Sequence, residues 1–140
     1  MRRLLLLLAS ICILFNSCAN QQNTTSSNND NEKWLNVRCF QTIDNTSDYS
    51  LCLASGNYRD AYLIIHFTCP SSQKSEIYYD GKQISGYFVL VGTYTYDSEG
   101  NGRMTVPAYM TRENVHEWYN FDKEALIRLL DIILSYNSIK

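Results

Sequence analysis

The apolar and polar positions divide this chain into three stretches. Leu4 to Phe15 is a nearly unbroken apolar run behind Arg2 and Arg3. Ala19 to Glu32 is almost wholly Asn, Gln, Ser and Thr. From Lys33 onward apolar residues return with a regular period. Nothing periodic in the middle stretch offsets its ordering entropy, so it reads as a flexible tether with an r.m.s. reach of about 20 Å.

In the third stretch the period is first two. Leu35, Val37 and Cys39 alternate with Asn36 and Arg38, the signature of a half-buried strand. DNTSD at 44–48 is turn chemistry, Tyr49 to Ala54 a second strand, and SGNYRD a break. In the run from Ala61 to Cys69, Leu63, Ile65, Phe67 and Cys69 share one face. Tyr62, Ile64 and His66 take the other, and Pro70 closes the strand. Tyr79-Asp80-Gly81-Lys82 has the composition of an Asp-Gly hairpin turn.

The fourth strand, Gln83 to Tyr96, is apolar on both faces, which predicts a central or covered position. Ile84, Phe88, Leu90 and Tyr94 fall on one side; Tyr87, Val89 and Val91 fall on the other. Gly86 and Gly92 inside it mark bulges or bends, as where a strand coils around a small barrel. DSEGNG at 97–102 makes a hairpin loop, and Met104, Val106, Ala108 and Met110 form a fifth strand, which Pro107 places at an edge or bulge.

The period then changes. Leu126, Leu129, Leu130 and Ile133 recur at helical spacing, opposite Glu124, Arg128, Asp131 and Ser135. Asp122 or Asn120 serves as N-cap, and Ile127 and Leu134 widen the apolar face, so the helix should dock over the second face of the long strand. The expected fold is a β-rich α+β domain over 33–140. It has about five antiparallel strands, a meander in a strongly coiled sheet or small barrel, and one C-terminal helix.

The first eighteen residues carry chemistry of another kind. Two arginines, an apolar run too short for the ~20 residues of a membrane span, and Phe15-Asn16-Ser17-Cys18 resemble a bacterial lipoprotein signal peptide. The resemblance implies removal of residues 1–17 and lipidation of Cys18, with residues 18–32 as the tether. A diacylated cysteine anchors stably where one acyl chain is marginal. Ala19 follows the cysteine rather than an aspartate, so the resemblance implies the cell envelope, and the outer membrane rather than the inner. Ordinary cleavage and release is the alternative.

The full chain carries 12 basic and 14 acidic residues. Such a balance lacks the clustered Lys and Arg of a nucleic-acid-binding surface. Cys39, Cys52 and Cys69 are spaced by thirteen and seventeen residues, unlike a redox or zinc motif, and three cysteines leave one over from any disulfide. They read as small core residues with at most one bridge. DSEGNG resembles half of a calcium loop, but the late bidentate position is Ala108, so no metal and no cofactor is expected. His66 and His116 form no metal or catalytic motif.

Tyrosine is the one enrichment, at eleven. Strand packing accounts for it, and so does a binding face, to which Tyr87, Tyr94 and Tyr109 are assigned. The expectation is a lipid-anchored, non-catalytic binding or accessory domain. Its partner would be an envelope protein, a peptide or a glycan. An envelope immunity or inhibitor protein, or a small thiol-dependent enzyme, are the alternatives.

Overall fold

The computed structural model describes residues 31–57, 60–72 and 74–136. The apolar start, Cys18 and the tether as far as residue 30 lie outside the described residues. Five strands close a barrel: β1 (Glu32–Asn45), β2 (Tyr49–Ser55), β3 (Ala61–Phe67), β4 (Gln83–Ser98) and β5 (Gly102–Thr111). A helix, α1 (Arg112–Tyr136), follows. The β-rich α+β class, the five strands and the terminal helix agree with the sequence pattern.

The all-antiparallel meander does not. The ring order is β1-β2-β3-β5-β4, and β3 runs parallel to β5 while the other four pairs are antiparallel. The reason is topological. Directions can alternate around a closed ring only when the strand number is even, so five strands force a parallel contact. The connection from residue 68 to 82 carries the chain across to β1, and β5 then returns between β3 and β4. This is the order of a five-stranded Greek-key barrel of the OB type.

Register separates the two faces of the ring. Val37, Cys39, Cys52, Ala54, Ile64, Phe88 and Tyr109 come from all five strands, are buried, and form one cluster. On the opposite side of β1 and β4 stand the exposed Trp34, Asn36, Ser85 and Tyr87. The first set is therefore the barrel interior. A second core lies on the outer face, where Leu51, Leu53, Leu63, Ile65, Val89 and Met110 pack beneath Val115, Trp118, Leu126 and Leu130 of α1. This explains why β4 is apolar on both sides.

The helix is longer than its periodicity suggests. Asp122 (φ −161, ψ 91) breaks it in two, and its carboxylate accepts the Ala125 N–H at 3.0 Å. The expected N-cap is present, but it caps only the second half. The first half, 112–121, is tied to the end of β3: Asn114 accepts from Phe67 N–H at 3.0 Å and donates to Phe67 C=O at 2.8 Å. Trp118 Nε1 donates to the same carbonyl at 3.0 Å.

β4 bulges between Leu90 and Gly92. The extra residue moves Tyr94 from the face of Phe88 and Leu90 to the outer face beneath α1, correcting the simple alternation. Gly92 (φ +155) is the docking point, since a Cβ there would stand 2.6 Å from Leu134 Cδ1. Pro107 lies where β5 has lost β3 as a neighbour, because that pairing covers only Ala108 to Met110. The Asp80-Gly81 turn closes through Lys82 N–H to Tyr79 C=O at 2.9 Å, with Gly81 at φ +92. No strand precedes it, so it opens β4 and does not join a hairpin.

Candidate functional site

The thiols of the described residues, and His66, are buried. Cys39, Cys52 and Cys69 are buried free thiols. His66 lies within the barrel beside Tyr78, ring centroids 6.0 Å apart. Neither His66 ring nitrogen nor the Tyr78 hydroxyl meets a hydrogen-bond partner. Burial pushes the Tyr78 phenol well up and holds the His66 imidazole down. Cys69 stands on the outer-face core, with its Sγ 3.1 Å from Ser71 Oγ, across the strand from His66. Cys52, Cys69, His66 and Tyr78 are buried, and Cys39, though only 1% exposed, lines a surface cleft beside Arg38.

The three tyrosines singled out from sequence occupy three different settings. Tyr87 is 45% exposed on the outside of β4. Tyr94 is on the outer face too, but only 6% exposed beneath α1 and stacked on Tyr96. Tyr109 points into the barrel at 5% exposure, edge-on to Tyr62. They do not form one face, because the β4 bulge and the inward turn of Tyr109 separate them. At the barrel mouth Lys33 Nζ stands 5.0 Å from the centroids of both Tyr62 and Tyr109. Burial is the largest single influence on Lys33 and works against its charge, but the hydrogen bond to Tyr109 together with the charges of Tyr109, Tyr62 and Asp60 outweighs it and leaves its pKa raised.

Tyr87 instead belongs to a surface that tyrosine enrichment alone does not reveal. Its ring meets Trp34 edge-on, centroids 5.1 Å apart at 83°. The Arg112 guanidinium stacks over Tyr87 at 4.4 Å while pairing with Glu32 at 2.9 Å, which fixes the tyrosine from the helix side. Trp34 is 60% exposed. The signal available in the sequence was the alternation of β1 itself, Trp34-Asn36-Arg38, whose odd partners are core residues.

From Trp34 the outward row of β1 continues through Asn36, Arg38 and Phe40. Ser85 Oγ donates to Asn36 Oδ1 at 2.9 Å, so the amide is held in place. The row runs into a cleft of about 780 Å³ lined by Arg38, Phe40, Asn57, Asp60 and Asp80 among others. Asp80 is itself oriented, accepting from Thr42 N–H at 2.7 Å and Thr42 Oγ1 at 2.8 Å. The six steps from Trp34 to Phe40, at ~3.4 Å each, make this row about 20 Å long. Aromatic rings at one end and amide, guanidinium and carboxylate groups toward the other can stack on a ligand and hydrogen-bond along its length.

The 97–102 loop is a hairpin between β4 and β5, with Asp97 and Arg103 paired across it at 3.6 Å. Among the described residues no group of three or more His, Cys, Asp and Glu could hold a metal ion. No helix among them is long and apolar enough to cross a membrane. Comparison with protein families, curated proteins and solved structures returns no match.

Proposed function

We propose that this chain is an extracytoplasmic binding domain, tethered to the cell envelope through a lipid on Cys18, whose ligand is an envelope glycan. The glycan lies along the outward row of β1, stacking on Trp34 and reaching the cleft beside Arg38 and Asp80. The observation that carries this reading is the exposure of Trp34 and Tyr87 on a fixed sheet face, while the cysteines and His66 are enclosed. Binding needs a surface of that kind; catalysis by the thiols would need them accessible.

A neutral polyhydroxyl chain suits the row better than a polyanion does. Without residues 1–17 the chain keeps ten basic and fourteen acidic residues, a formal −4. On that surface Arg112 is already paired with Glu32. Barrels of this class bind oligonucleotides or oligosaccharides on the face of β2 and β3. Here that face is buried under α1, so the exposed face of β1 and β4 is the one left for a ligand.

The test is co-sedimentation with an insoluble β-1,4-linked N-acetylglucosamine polymer. The wild-type domain is expected in the pellet, and Trp34→Ala is expected to stay in the supernatant at the same concentration. Equal retention of both proteins removes the row from the account. Mass analysis of the N-terminal peptide from membranes tests the anchor separately: an acylated Cys18 is expected, and an unmodified one contradicts it.

A further inference from the structure

The cleft at the end of the β1 row is lined by one cationic and two anionic side chains, Arg38, Asp60 and Asp80. Register sets how they stand. Arg38 lies opposite Ser55 of β2 on one side and opposite Gln83 of β4 on the other. Ser55 ends β2, with Asp60 just before β3, while Gln83 follows the turn that carries Asp80. The guanidinium is therefore flanked by carboxylates that come from opposite sides.

The backbone around these groups is held. Gly81 N–H donates to Cys39 C=O at 2.8 Å and Cys39 N–H to Lys82 C=O at 2.9 Å, which fixes the 79–82 turn to β1. Thr42 N–H and Thr42 Oγ1 both donate to Asp80 Oδ1, so Oδ2 is left for a ligand. A Cβ on Gly81 would stand 3.7 Å from Arg38 Nη2, so the guanidinium lies beside the bare turn. It nevertheless pairs with no carboxylate among the described residues. On the other side, Asp60 N–H donates to Asn57 C=O at 3.1 Å.

We propose that this cleft binds a basic α-amino acid, with its carboxylate on Arg38, its α-ammonium on Asp80 and its side-chain cation toward Asp60. An unpaired guanidinium offers a planar fork that matches a carboxylate. A simple anion would meet two carboxylates beside that fork, and a simple amine would meet the guanidinium. A ligand with one negative and two positive groups satisfies all three side chains at once. Each contact alone is screened by solvent and weak; held together in one concave site they discriminate by number and sign. The assignment gives the chemistry of the far end of the row and does not rest on a glycan occupying the Trp34 end.

The experiment titrates the purified chain with L-lysine and follows the backbone amides by NMR. Saturable shifts of the Gly56 and Gly81 amides are expected. Lysinamide, Nα-acetyl-lysine and norleucine each lack one of the three charges and should bind about tenfold more weakly, the loss of one charge-assisted hydrogen bond. Arg38→Gln should no longer distinguish lysine from lysinamide, and Asp60→Asn should no longer distinguish lysine from norleucine. The analogue series on the wild-type chain stands whether or not a variant folds. No saturable shift with lysine, or equal affinity for lysine and its three analogues, overturns the proposal. Trp34→Ala should bind lysine as the wild type does; a loss as large as that of Arg38→Gln moves the binding to the aromatic row and overturns it too. Failure of the wild-type protein to pellet with the glycan polymer removes only the Trp34 row and leaves lysine binding standing.

Discussion

His66 is a neutral imidazole enclosed with Tyr78, and its titration ties the fold to pH. Burial is the main cause of its lowered pKa; Glu76 and Glu117 pull it up less strongly, and Lys82 lowers it further. The unfolded chain, with an ordinary histidine near 6.5, therefore takes up the proton before the folded one. The contribution to stability is complete above that value and is lost as pH falls toward the lowered folded value. Melting temperature should drop between pH 7.5 and 5.5, and the drop should be shallower in His66→Gln. A variant slope as steep as the wild-type one assigns the effect to other groups. The period-two pattern already placed His66 beside Tyr62 and Ile64 and across from Phe67. It could not show that Tyr78, from a connection with no pattern of its own, fills the space next to it. The same limit hid the separation of Tyr87, Tyr94 and Tyr109, because a bulge is one extra residue and leaves composition unchanged.

β1, β3, β5 and the capped half of the helix announced themselves through a period, while the first half of α1 did not. Residues 112–121 mix a β-branched residue with three aromatics, Trp118, Tyr119 and Phe121, and hold no four-turn apolar stripe. What makes them helical is tertiary. Asn114 supplies both a donor and an acceptor to Phe67, standing in for the strand partner that β3 lacks at its end. Asn114→Ala leaves the buried Phe67 N–H without its acceptor, while the carbonyl keeps Trp118 Nε1, and should cost about 2 kcal/mol in denaturant unfolding. A loss under ~0.5 kcal/mol would show the tie to be dispensable. Gly92 tests the other half of the helix. Gly92→Val drives a side chain into Leu134 and should destabilise by about 2 kcal/mol, whereas the same change at the open Gly86 tests only its backbone. Equal losses at both positions would mean that α1 does not dock there.

The molecule as a whole is a closed barrel sealed on one outer flank by a helix and open on the other. The sealing explains a second apolar core in so small a domain, and it removes the β2–β3 face from ligand contact. Parallel pairing of β3 and β5 was beyond the reach of sequence, because strand order depends on which edges meet and not on which residues alternate. The number of strands nevertheless fixed that some parallel contact had to exist once the ring closed. What remains exposed is the flank of β1 and β4, where the aromatic residues Trp34 and Tyr87 stand without a covering element among the described residues. On the proposed anchoring through Cys18, that flank would stand near a membrane surface.

Two tryptophans report on opposite sides of this architecture. Trp118 of α1 is enclosed against the end of β3 and Trp34 is open, so acrylamide quenches the emission of Trp34 selectively. The decisive measurement is that quenching with and without a soluble N-acetylglucosamine oligomer. The account predicts saturable protection of the accessible emission, absent in Trp34→Phe. Undiminished quenching at saturating oligomer, in a protein whose Trp34 is shown to be accessible, would contradict it.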